Sequence, residues 1–205
     1  MTDEQPHEPG SMMKKELRLR LRKIMAGLTA EDLHHRSLQA CDRLTETDVY
    51  RAAEVIMVFL SLPTEVDTTP LVLQSWRDRK RVLAPKVSWE QRRMLPIEVR
   101  SLSDGLEETR LGLREPAQGV PFPLDQIDVV IVPGLGFDVS GNRIGRGRGF
   151  YDRFLAQSEW HGVSCGLALE VQVVEHVPTG EQDMRIDMLV TDAAVRHFDA
   201  AHSGG

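Results

Sequence analysis

Nine residues, Gly141 to Gly149 ("GNRIGRGRG"), hold four glycines and three arginines. Gly141, Gly145, Gly147 and Gly149 recur at nearly every second position, which lets successive backbone N–H groups converge on an anion without steric cost. Arg143, Arg146 and Arg148 add charge and forked donors suited to phosphoryl oxygens. The helix-like run "FYDRFLAQ" follows at once, and its free amides and dipole favour the same ligand. Together these residues suggest polyphosphate binding. The plain alternative is a flexible loop with solvated arginines. Neither G-x-x-x-x-G-K-[ST] nor a clean G-x-G-x-x-G after a strand is present, so the common NTPase and dinucleotide sites lose support.

Other reactive residue types form no such constellation. His34 and His35 are adjacent on a predicted surface helix, and His161 and His176 stand alone. No H-x-x-x-H or Cys/His cluster suggests a zinc site. Cysteines and serines fall in no triad pattern. Cys41 and Cys165 lie far apart, without metal-ligand spacing or a disulfide framework, which suits a reducing cytoplasm. Trp76, Trp89 and Trp160 make no spaced platform with basic residues, and the net charge of −6 opposes a general nucleic-acid surface. No apolar run approaches membrane-spanning length, and the start "MTDEQPHEPGSMM" does not read as a signal peptide.

The elements that must position the loop follow from hydrophobic period. The chain's 205 residues, 41% hydrophobic, suit one domain, expected at 14–197 between disordered tails at 1–13 and 198–205. Leu17, Leu21, Ile24 and Leu28 share one helical face; Leu33, Leu38, Cys41 and Leu44 share another after the N-cap signal "TAED". Residues 54–62, 81–87, 94–99, 127–137, 163–169 and 186–191 read as strands, with helix over 68–78 and 94–99 as an antiparallel partner of 81–87. Strands alternating with helices predict an α/β domain, its largely parallel sheet covered on both faces and its ligands at the carboxyl ends of the strands. The loop at 141–149 follows such a strand, "VVIV".

The stretch "VPGLGFDVSGNRIGRGRGFYDRFL" resembles the signature of the 5-formyltetrahydrofolate cyclo-ligase, or methenyltetrahydrofolate synthetase, family. "KKELR", "FLSLPTEVDT", "LREP" and "LALEVQVVEHVPTGEQDMRIDMLVTD" extend the likeness over most of the chain. The resemblance implies a single Rossmann-like α/β sheet of the type shared with CoA transferases. It also implies cyclisation of 5-formyltetrahydrofolate, driven by ATP with Mg²⁺, to 5,10-methenyltetrahydrofolate, releasing ADP and phosphate. Position by position, it places ATP contacts at Lys14, Lys15, Arg18 and along Arg143, Ile144, Gly145, Arg146, Gly147, Arg148, Gly149, Phe150 and Tyr151. Leu60, Glu65 and 146–150 would meet the folate, Asp152 and Asp183 the magnesium. Arg148, Arg146 and Tyr151 would stand nearest the chemistry. Phe150 stands where many relatives carry tyrosine, which excludes a hydroxyl role there. A monomer acting on a folate that can carry several glutamates, with neither nucleic acid nor membrane as partner, completes the expectation.

Read from residues alone, several of these positions stay open. Lys14 and Arg18, one helical turn apart, can face one phosphate chain or merely begin a solvated helix. Asp152 can complement a helix start, Asp183 can be a loop aspartate, and Glu65 can be a solvated loop acid. Two other classes fit the same α/β sheet: a non-catalytic ATP or folate binder, and a sugar-phosphate isomerase needing neither ATP nor metal.

Overall fold

The computed structural model describes residues 9–109 and 112–198. Three helices open the chain: α1 (Pro9–Ala26), α2 (Ala30–Thr45) and α3 (Asp48–Ala52). Then come β1 (Val55–Met57), α4 (Thr69–Arg77), the hairpin β2 (Arg81–Ser88) and β3 (Arg93–Glu98), and a small hairpin, β4 (Leu106–Glu108) with β5 (Arg114–Pro116). β6 (Val129–Val132), β7 (Gly136–Asp138) and β8 (Arg143–Ile144) lead into α5 (Phe150–Leu155). β9 (Val163–Leu167), β10 (Val173–Val174), β11 (Met188–Val190) and β12 (Val195–His197) complete the order. The helix α1 begins ahead of the boundary expected at Lys14. Of the tails expected at 1–13 and 198–205, residues 1–8 and 199–205 lie outside the described residues.

The seven-stranded sheet runs β12-β11-β9-β6-β1-β2-β3. Its five inner strands are parallel, and β12 and β3 close the edges antiparallel. Period-two alternation sorts its side chains onto two faces. Ile56, Val82, Ile131, Cys165 and Met188 pack with α2, α3 and α4 through Leu44, Tyr50 and Leu71. Val55, Leu83, Val130 and Leu189 pack on the other face against Phe154 and Leu155 of α5 and against Trp160. Each such fully buried aliphatic side chain contributes about 1.5–3 kcal/mol of transfer free energy. Both free cysteines are buried here, and burial pushes the Cys41 thiol up to about 12 and that of Cys165 higher still.

Local chemistry starts and stops these elements. The Thr29 hydroxyl accepts the Asp32 amide at 3.0 Å, as the "TAED" signal leads one to expect. At α4 the N-cap residue Thr68 makes no side-chain cap; it donates its hydroxyl to the Phe59 carbonyl at 2.7 Å, and Pro70 stands in the first turn of the helix. The run 127–137 is not one strand. Pro133 has no N–H to donate, and Gly134 lies so close to the Phe137 ring that a Cβ would sit 2.6 Å from it. The chain therefore leaves the main sheet after β6 and re-enters structure as β7, in a second sheet ordered β10-β7-β8. Leu17 and Leu21 of α1 cover that small sheet beside Leu135, Ile144 and Val177.

Candidate active site

The carboxyl ends of β1, β2 and β6, the small sheet and α1 surround a cavity of about 450 Å³. The glycine loop forms one side. Gly147 (φ 92°) and Gly149 (φ 66°) hold left-handed backbone that a side chain would strain, and the Gly147 Cα passes close to the Arg18 guanidinium. The helix that follows is shorter than expected. α5 has six residues, has Gly149 as an N-cap that offers no side chain, and provides too little aligned backbone for a strong dipole. The groups of this loop that could meet an anion are therefore its guanidinium and amide groups.

The cations reach the cavity from different elements, and each has a distinct partner. Lys14 and Arg18, one turn apart on α1, both line it; Lys14 pairs with Asp183, and Arg18 donates to the Gly145 carbonyl at 3.0 Å. Lys15 is the exception among the expected site residues. It is exposed and lies outside the cavity lining, because one residue turns a helix by about 100° from its neighbour. Arg143 belongs to β8 and not to a mobile loop. Its side chain is 5% exposed and donates to Asp152 at 2.7 Å, while burial lowers its pKa against the opposing pull of Asp152. Arg146 places Nε and Nη2 on Glu65 Oε1 at 3.1 and 2.9 Å, and Glu65 Oε2 accepts the Leu62 amide at 3.0 Å. Arg148 lies over the Trp89 ring, its carbon 5.7 Å from the centroid.

Asp152 and Asp183 face the same cavity. Asp152 Oδ1 accepts Arg143 and the Met184 amide; Asp183 Oδ2 accepts Lys14 and the Gly180 amide. Burial pushes the Asp183 carboxyl up, but the bonds from Lys14 and Gly180 and the charge of Arg143 outweigh it and hold the group below the usual range. Asp183 is thus anionic near neutral pH. Each acid keeps one oxygen without a hydrogen bond among the described residues, a donor set that suits a hard divalent cation sharing its shell with phosphate oxygens. Among the described residues no group of three or more His, Cys, Asp or Glu could form a closed metal cage.

Tyr151 is half-buried, yet its hydroxyl is sealed from solvent with no hydrogen-bond partner among the described residues. Burial pushes the phenol pKa up, and the Glu65 charge pushes it further. It is a neutral donor with no acceptor among the described residues. Leu60 and Ile144 form buried apolar walls.

Residues outside the expected set also line the cavity. Pro85, Val87 and Trp89 line it at two-residue spacing along β2 and into its turn, with Met94 from β3. Glu115, within the "LREP" segment, accepts the Val87 amide at 3.0 Å and ties β5 to that wall. Alternation along "PKVSW" was the available signal, but nothing in it told the cavity face from the other.

The profile of the 5-formyltetrahydrofolate cyclo-ligase family matches residues 11–192. The chain is 34% identical over 179 residues to the 5-formyltetrahydrofolate cyclo-ligase of Escherichia coli K12, covering 85% of this chain and 98% of that one. It is 28% identical over 184 residues to the enzyme of that name from Mus musculus, covering 85% and 91%. The solved structure of 5,10-methenyltetrahydrofolate synthetase from Aquifex aeolicus superposes with a TM-score of 0.80 at 29% identity, covering 95% of this chain and 97% of that one.

Proposed function

The chain belongs to the 5-formyltetrahydrofolate cyclo-ligase family, and we propose that the cavity between the glycine loop, α1 and the β2–β3 hairpin is where it closes 5-formyltetrahydrofolate to 5,10-methenyltetrahydrofolate at the expense of ATP. The observation that carries the assignment is the convergence of Lys14, Arg18, Arg143, Arg146 and Arg148 on one cavity in a protein whose net charge is −6.

A formyl amide is a poor electrophile until its oxygen becomes a leaving group. Transfer of the γ-phosphoryl group to that oxygen breaks the bond to ADP and forms a C–O–P linkage. The nitrogen of the aminobenzoyl arm then attacks the carbon and sheds its proton. The C–O bond breaks, inorganic phosphate leaves, and the five-membered ring is closed. No side-chain nucleophile is needed, so the protein's part is positioning and charge stabilisation. Lys14, Arg18 and the amides of 144–149 bind the triphosphate. Arg148, whose guanidinium has no anionic partner among the described residues, turns to the transferring phosphoryl group. The Tyr151 hydroxyl, protonated and unsatisfied, donates to an oxygen of the formyl or phosphoryl group. Asp152 and Asp183 would hold Mg²⁺, which supplies neutralisation of phosphate charge.

Glu65 is suited to the amino-pyrimidine edge of the folate, and Arg146 mimics that edge: both present N–H donors flanking a carbon in a plane. Folate binding at Glu65 exchanges one for the other and frees Arg146 for phosphate. Leu60 and residues 146–150 complete the folate side. Among the described residues no helix is long and apolar enough to cross a membrane. A reducing cytoplasm suits two free, buried thiols.

The test is the absorbance of the methenyl product with purified protein, 5-formyltetrahydrofolate, ATP and Mg²⁺, omitting each in turn. Formation requiring both ATP and metal is expected, with Arg148→Ala losing about 10²–10³ in kcat while staying folded. A folded chain that binds ATP but forms no product would sink the reading and leave a nucleotide or folate binder.

A further inference from the structure

Trp89 is an aromatic side chain at the mouth of the cavity to which the mechanism above gives no task. It is 45% exposed, and a single exposed indole needs no explanation on its own. Three contacts set this one apart. Its ring meets Phe150 edge-to-face, centroids 5.1 Å apart at 89°. The Arg148 guanidinium lies over it. The turn that carries it is fixed to the glycine loop by Arg153, which donates to the carbonyls of Arg92 and Arg148, both at 2.9 Å. The indole is thus held at a defined place beside the loop, with Pro85 and Val87 continuing the same wall inward.

Among the described residues the Arg148 guanidinium makes no ion pair and no hydrogen bond, so the indole face is its one defined contact. A flat cation on a half-exposed indole is held weakly, and another flat group can take its place at little cost. Glu65, whose side chain is 15% exposed, is more enclosed than Trp89. A folate whose heterocycle is bound at Glu65 therefore directs its aminobenzoyl arm outward, toward the mouth.

Resting on the folate reading above, we propose that Trp89 is the aromatic shelf of that site: its indole stacks the aminobenzoyl ring in the place the Arg148 guanidinium holds here. Arrival of the ring releases Arg148 toward the phosphates. Trp89 thereby sets affinity for the folate and couples its binding to the position of the catalytic arginine.

The test compares the native chain with Trp89→Ala and Trp89→Phe in steady-state kinetics and in tryptophan emission titrated with 5-formyltetrahydrofolate without ATP. Trp89→Ala is expected to raise KM for the folate roughly threefold to tenfold, to leave KM for ATP within a factor of about two, and to be largely rescued by Trp89→Phe. Emission of the native chain should be quenched by the folate. In Trp89→Phe the quenching should vanish, because Trp76 and Trp160 lie outside the cavity lining. Circular dichroism and melting verify that the variants fold. Equal rises in both KM values would mean a merely structural residue and overturn the proposal. So would a native emission that the folate leaves unchanged, whatever the cyclisation assay gives. Quenching without product formation would instead count against the reaction while sustaining the shelf.

Discussion

Two carboxylates proposed for the same metal sit in different surroundings, and their removal should separate stability from activity. Asp152 faces a guanidinium that is 5% exposed and also receives the Met184 amide, so Asp152→Asn leaves a buried charge unpaired. A loss of about 3–5 kcal/mol is expected in denaturant unfolding. Asp183 pairs with Lys14 where both side chains keep a quarter or so of their surface, and Asp183→Asn should cost no more than about 1 kcal/mol. Both should abolish cyclisation. Equal destabilisation by the two would contradict the difference in burial. At this scale the glycine loop was legible in the sequence because glycine and arginine announce their backbone and charge requirements. The Arg143–Asp152 pair was not, since one partner lies in a strand and the other in a helix, with the glycine loop between them, and only folding brings them together. Lys15 lies outside the cavity lining because a helix presents only one side of a basic run to the cavity.

The turn after β7 is built on Asp138, which is 1% exposed and accepts from the amides of Ser140, Asn142 and Val177 and from the Asn142 side chain. Burial alone would push its carboxyl up; the four donors outweigh burial and hold it below the usual value. The sign of the pH effect follows. A depressed folded pKa contributes stability that is complete above the unfolded value of about 3.9 and is lost as pH falls through the lower folded one. Asp138→Asn should therefore be less stable at pH 7 by roughly 1–3 kcal/mol, with a shallower fall in melting temperature below pH 4. An unaltered acid limb would assign the acid sensitivity to other carboxylates. Among elements, the α/β alternation and the pairing of 94–99 with 81–87 were readable from apolar period. The division of 127–137 was not, because its causes, the missing N–H of Pro133 and the approach of Phe137 to Gly134, are not encoded in apolar period. β12 escaped notice as well: as an edge strand of three residues it has no alternation to read.

Across the whole molecule, the cavity draws on α1, the β1 loop, the β2–β3 hairpin, β8, α5 and the segment at Asp183, so a ligand that fills it bridges parts far apart in sequence. Such a ligand opposes opening of the entire sheet. The two cysteines can record this. Cys165 lies in a central strand and Cys41 on a covering helix, both thiols protonated and shielded, and neither belongs to the cavity lining. A thiol reagent at neutral pH should therefore leave activity intact and mark only molecules that have come apart. With ATP and folate each near 100 times its Kd, labelling of Cys165 should slow by about a hundredfold or more. If Cys41 reacts first, the helical layer peels before the sheet parts; if both react together, the molecule opens as one. The fold thus contains two timers, one set in each layer, that report the order of its own undoing.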